Sequence, residues 1–190
     1  MKYITVAYFL ILISCAKQKI PDFPLNSMKS QNAIKGKLYI TASGTIDKYT
    51  VYVSASELPK WVHELADNTI GKGKDEGYEI EQYSDGSEVY EIKRLVDGKS
   101  VEVSIRRDGF VKYIEKQVEK EDLPIEVKVA IGKISNFNSE RISLKIGPDI
   151  NEYQVRGKMS AISYRLRINK DGSLIAIQKQ LPATIEVGVQ

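Results

Sequence analysis

One word recurs three times in this chain: Glu57-Leu58-Pro59-Lys60-Trp61-Val62, Asp122-Leu123-Pro124-Ile125-Glu126-Val127 and Gln180-Leu181-Pro182-Ala183-Thr184-Ile185. Each copy follows a stretch of alternating apolar residues, so the chain is expected to be built from repeats of one supersecondary unit. After the first copy, Leu58, Trp61, Val62, Leu65, Ala66 and Ile70 form a helical stripe. Ser56 is placed to cap that helix, and Gly71 and Gly73 to end it. The period then changes to two, in runs over 77–83, 87–96, 99–107 and 110–118. Asp85-Gly86, Asp97-Gly98 and Asp108-Gly109 separate these runs, and Asp-Gly between alternating runs signals a hairpin.

The second unit repeats this pattern. Glu88-Val89-Tyr90-Glu91-Ile92 corresponds to Asn151-Glu152-Tyr153-Gln154-Val155, and Asp108-Gly109 to Asp171-Gly172. Its first segment is ambiguous, because Ile125, Val127, Val129 and Ile131 also alternate as a strand would; equivalence with the first unit favours a helix. Strands are expected over 141–146, 152–158, 161–169 and 173–180. Upstream, 37–41 and 49–54 read as the last hairpin of a further unit. The expected fold is therefore α+β: two repeats of one helix plus a four-stranded antiparallel meander, preceded by an extra hairpin.

The amino terminus reads as an address. Met1-Lys2 precedes an apolar run over 3–13, which ends at Leu12-Ile13-Ser14-Cys15. The run is too short for the roughly 20 residues of a membrane span and has the length of a signal-peptide core. It resembles the lipobox of bacterial lipoproteins, in which the cysteine is lipidated and becomes the mature terminus. Cys15 is the only cysteine, so a disulfide within the chain is excluded. The expected organisation is a signal peptide over 1–14, a tether over 15–35, the hairpin over 36–56, repeats over 57–121 and 122–181, and a tail over 182–190. Ala16 after the cysteine points to the outer membrane under the enteric sorting rule. A net charge of +3 gives no indication of nucleic-acid binding.

Leu-Pro-x-x-Val opening a helix, followed by Tyr-x-Ile or Tyr-x-Val strands and Asp-Gly hairpins, resembles the PepSY-like domains of secreted bacterial proteins. It is similar also to the tandem repeats of the beta-lactamase-inhibitor-like superfamily. The resemblance rests on Leu58-Pro59, Val62, Tyr78, Tyr90-Glu91-Ile92, Asp97-Gly98, Val101, Val103 and Asp108-Gly109. Their second-repeat partners are Leu123-Pro124, Val127, Tyr153, Val155 and Asp171-Gly172. It implies a non-enzymatic envelope module that binds or restrains another protein, such as a peptidase or a wall-active enzyme. An assembly lipoprotein scaffolding an outer-membrane complex shares a related layout.

Catalytic chemistry finds little to use. His63 is the only histidine, so neither a Ser-His pair nor the usual zinc ligand set can be completed elsewhere. Gly71-Lys72-Gly73-Lys74 lacks the spacing of a phosphate loop. No metal and no cofactor are expected. Strand alternation instead places Glu79, Glu81, Tyr83 and Arg106 from the first repeat, and Arg156, Arg165 and Arg167 from the second, on the face turned away from the helices. Arginine and tyrosine suit a protein interface. That open face is the expected docking surface for an envelope protein or peptide, with the membrane reached through the lipid on Cys15.

Overall fold

The computed structural model describes residues 36–182. The expected signal peptide, Cys15, the tether, and the tail beyond Pro182 lie outside the described residues. Ten strands form one antiparallel sheet in sequence order. They are β1 (Gly36–Ile40), β2 (Ile46–Val53), β3 (Lys74–Tyr83), β4 (Glu88–Val96), β5 (Lys99–Arg106), β6 (Val111–Gln117), β7 (Phe137–Gly147), β8 (Ile150–Met159), β9 (Ile162–Asn169) and β10 (Leu174–Gln180). Two helices, α1 (Lys60–Ile70) and α2 (Ile125–Gly132), interrupt the series after β2 and after β6.

This corrects the expectation of two helix-plus-meander repeats with a separate hairpin. The three expected pieces are continuous, because each helix leaves the sheet and returns the chain to the strand it left. β2 pairs with β3, Val51 opposite Ile80. β6 pairs with β7, with Ile114 opposite Ile146 and Gln117 opposite Ser143. A meander ending in an unpaired β6 would expose a row of backbone donors and acceptors, and β7 satisfies part of that row. Strand twist accumulated over ten strands curls the sheet into an open half-barrel. The curl is close enough that the Arg165 guanidinium on β9 lies 6.0 Å from the Tyr39 ring on β1.

Both helices lie on the convex side. Leu58, Val62, Ala66 and Ile70 pack against Tyr90, Ile92, Val101, Val103 and Ile105. Leu123, Val127 and Ile131 pack against Ile142, Tyr153, Val155, Leu166 and Ile168. The recurring Leu-Pro word is explained at both places. Pro59 and Pro124 hold φ near −58° and −54° immediately before the first helical residue, and the leucine plugs the core. Ser56 is not the cap: Glu57 closes a capping box, accepting from the Ser54 N–H at 2.6 Å and from its hydroxyl at 2.8 Å, in a 3-10 turn ahead of α1. Gly71, at φ 81°, ends α1.

Candidate functional site

Alternation along the strands puts Glu79, Glu81, Tyr83, Arg106, Arg156, Arg165 and Arg167 on the concave face, opposite the helices. They do not form the open, solvated surface expected of a flat sheet. Curling crowds the concave side chains, and Glu81 (2% exposed), Glu91, Glu115 and Glu152 are all buried. A buried carboxylate needs a counter-charge or a donor, and most of these have one.

Glu81 contacts the Lys48 ammonium and accepts from the Tyr83 hydroxyl at 2.8 Å. The Lys112 ammonium donates to that hydroxyl at 2.8 Å and lies over the Tyr83 ring. Burial pushes Glu81 up, but Lys48 and the Tyr83 hydroxyl hold it below the usual carboxylate range. Glu79 pairs with Lys37 at 3.3 Å. Glu91 accepts from the Tyr113 hydroxyl, and Glu115 accepts from the Ser143 hydroxyl at 2.6 Å. The Lys145 ammonium sits 3.3 Å from the centre of the Tyr113 ring, a cation–π contact at the floor of the trough.

These carboxyls do not share one protonation state. Burial, and then the Glu81 carboxylate, push Glu91 up to about 7 despite Lys48. Burial and the neighbouring Glu91 and Glu115 raise Glu102 well above the carboxylate range. Glu102 stands directly opposite Glu115 across β5 and β6. The centre of the trough is thus a group of carboxyls, part of them neutral near pH 7, flanked by lysines and tyrosines.

The β8–β9 end differs in sign. Glu152 (4% exposed) receives a two-pronged contact from Arg167, at 2.8 and 2.7 Å. Burial raises Glu152, and Arg167 more than offsets it, holding the carboxyl below its usual range. Arg156 stands opposite Arg165 in register, and neither forms an ion pair with a carboxylate among the described residues. Arg106 is apart from the rest: it pairs with Asp108 in its own exposed turn.

The arrangement can bind by charge and hydrogen bonding. His63 lies on the other side of the sheet, where its Nε2 is 3.0 Å from the Ala55 carbonyl and its ring meets Tyr78 edge-on. Among the described residues, no group of three histidine, cysteine, aspartate or glutamate side chains could hold a metal ion. A pocket of about 250 Å3 lies at the end of β9 and β10, lined by Ala161, Ile162, Ser163, Gln180, Leu181 and Pro182. That is small for a cofactor-sized ligand. Sequence reasoning placed Lys145 on this face but missed Lys48, Lys112, Tyr113 and Glu115. Lys48, Tyr113, Glu115 and Lys145 share the alternation parity of the expected set, while Lys112 follows a register shift between β5 and β6 that no pattern announces.

No protein-family model and no curated protein matches the chain. Among the solved structures similar to it are three Bacteroides proteins. A Bacteroides eggerthii protein whose description places it in the periplasm has TM-score 0.52 and 12% identity, covering 64% of this chain and 88% of that one. A DUF2874 family protein of Bacteroides uniformis has TM-score 0.50 and 12% identity, covering 64% and 89%. A BLIP-like protein of Bacteroides fragilis has TM-score 0.49 and 16% identity, covering 69% and 94%; that score is below the level at which a shared fold follows. The first two support a fold shared with those proteins over about two thirds of this chain.

Proposed function

We propose that this chain is a lipid-anchored bacterial cell-envelope protein whose concave sheet face binds a protein or peptide without catalysis. Such a module would restrain or regulate a peptidase or wall-active enzyme, as the PepSY-like and beta-lactamase-inhibitor-like resemblance implies. The observation that carries the reading is the concave face itself. Tyrosines, lysines and arginines from strands across the sheet converge there, among them Arg165, whose guanidinium lies against the Tyr39 ring, and Arg156, which forms no ion pair among the described residues. The periplasmic description of a structural neighbour and the apolar run ending at Cys15 support the envelope address.

The test is crosslinking in the native cells. A photoreactive residue at Arg156 on the concave face should capture a defined partner, identified by mass spectrometry, and the same residue at Lys60 on the convex face should not. Equal capture from both positions, or none from Arg156, would overturn the reading. A fixed set of outer-membrane proteins on Arg156 would point to the scaffold role instead of inhibition. Replacing Cys15 with alanine should abolish incorporation of labelled fatty acid, and retained label would remove the anchor.

A further inference from the structure

Two pairs of carboxyls stand directly opposite one another on adjacent strands of the trough. Glu79 faces Glu91 across β3 and β4, and Glu102 faces Glu115 across β5 and β6. Like charges so placed repel, and two carboxyls sharing a buried site cannot both ionise in the ordinary carboxylate range. Ser104, the same-face neighbour of Glu102 on β5, lies directly between Glu91 and Tyr113 in register. It is fully buried, and its hydroxyl has no hydrogen-bond partner among the described residues.

We propose that the centre of the trough is a proton-binding switch: Glu91 and Glu102 keep protons that the surrounding carboxyls have lost, and giving them up changes the hold of the concave face on its partner. The proposal rests on the reading of that face as the binding surface and names what regulates it.

The neighbouring cations are engaged elsewhere. Lys37 on β1 pairs with Glu79, and Lys48 on β2 with Glu81. Lys93 on β4 stands opposite Glu102 in register but turns to Glu76 at 3.3 Å. Arg106, farther along β5, pairs with Asp108. Lys112 on β6 donates to the Tyr83 hydroxyl, Lys145 on β7 lies over the Tyr113 ring, and Arg165 on β9 lies against Tyr39. Glu91 is left with the Tyr113 hydroxyl, and Glu102 forms no hydrogen bond or ion pair among the described residues.

A proton meets what these two carboxyls lack. A metal or ammonium ion would have to enter beside Lys48, Lys112, Lys145 and Arg165, whereas a proton needs no room. Once protonated, Glu91 carries an O–H donor, and the unused Ser104 oxygen opposite is its acceptor. The electrostatics agree with the geometry: burial and Glu81 raise Glu91 to about 7, and burial with Glu91 and Glu115 raises Glu102. A carboxyl so raised is neutral below its pKa, so Glu91 releases its proton to solvent as pH rises through about 7 and the face loses one positive charge. A partner that responds to this charge must, by linkage, shift the proton affinity in return.

The first measurement is a carboxyl-carbon NMR titration of the full chain with labelled glutamate. Two resonances should titrate above about pH 6, where ordinary carboxylates are already ionised; one should disappear in Glu91→Gln and the other in Glu102→Gln. Complete titration of every glutamate by about pH 6 would overturn the proposal. Ser104→Ala removes the acceptor and should lower the Glu91 midpoint by about one pH unit, and an unchanged or higher midpoint would overturn that role for Ser104. The second measurement repeats the crosslinking, with the photoreactive residue replacing Arg156, in permeabilised native cells held at about pH 6 and about pH 8. Capture should differ at least about threefold between them, and the difference should vanish when Glu91→Gln and Glu102→Gln are combined. Stronger capture at the lower pH marks an acidic partner, and at the higher pH a basic one. Titration near neutrality with capture indifferent to pH would overturn the switch and leave the concave-face reading standing. Absence of capture at both pH values is the failure of that reading, and the NMR titration then decides the proton site by itself.

Discussion

The two halves of the sheet carry the same sequence pattern and solve the same two problems differently. In the first half Arg94 (4% exposed) fastens the end of α1 to the sheet: its guanidinium donates to Asp67 at 2.6 Å, to Asp75 at 2.6 Å and to the Gly71 carbonyl at 3.0 Å. At the corresponding place in the second half stands Gly157. A Cβ there would collide with the Asn138 carbonyl and the Phe137 ring, so the glycine lets Phe137 pack onto the core beneath α2. The concave face differs in the same way. Glu91 in the first half, pushed up to about 7, is matched by the uncharged Gln154, whose amide donates to Glu152 at 3.3 Å. Each half has its own apolar core; to it the first half adds ionic contacts and a carboxyl that responds to pH, and the second adds tighter packing at Gly157 and the fixed Arg167–Glu152 contact.

That contrast can be broken at specific residues. Arg94→Ala should produce the largest loss, about 3 kcal/mol by urea denaturation, because it strands two carboxylates and a carbonyl around a buried position. A loss below about 1 kcal/mol would show that the anchor is dispensable. Next in size is the pH response. Glu91 has a folded pKa raised above its unfolded value, so its contribution is fully present below about pH 4.5 and is lost as pH rises through about 7. Glu91→Gln should therefore match the parent near pH 4.5 and exceed its stability at pH 8 by on the order of 3 kcal/mol. Parallel stability curves across that window would contradict the assignment. Gly157→Ala should cost about 2 kcal/mol by overpacking, and the loss should not depend on pH. Arg106→Ala removes a fully exposed turn contact with Asp108 and should leave the melting temperature unchanged.

Local features were legible in the chain because they are set by neighbours in sequence. Asp97 at φ 49° with Gly98 at φ 77° makes a hairpin turn from the residues best able to adopt those angles. Gly109 and Gly172, at φ 84° and 81°, do the same in the two units. The ambiguity over 125–131 has a physical origin. Ile125 and Val129 on α2 remain exposed in this fold, so apolar residues cover both sides of that helix and no helical stripe stands out.

Contacts between distant residues were not legible. The pairing of β6 with β7 joins residues separated by a helix, and nothing in an alternating run names its partner strand. The concave face followed from parity alone, so all seven expected residues share it, but their surroundings did not. Glu81 reads as a solvated charge in the sequence; Tyr83 is its same-face neighbour on β3 and Lys48 comes from the paired strand β2, but only the curl brings Lys112 across from β6. Arg94 falls on the helix-facing parity, where a charge looks misplaced until Asp67 and Asp75 are placed in space.

The central claim is that one continuous sheet joins both halves into a single concave face, and amide hydrogen exchange across the β6–β7 seam tests it most directly. The amides paired between Ile114–Gln117 and Ser143–Ile146 should exchange as slowly as those between β4 and β5, in one global unfolding event. Fast exchange at the seam, with the two halves opening in separate transitions, would contradict a continuous sheet and return the chain to two independent units.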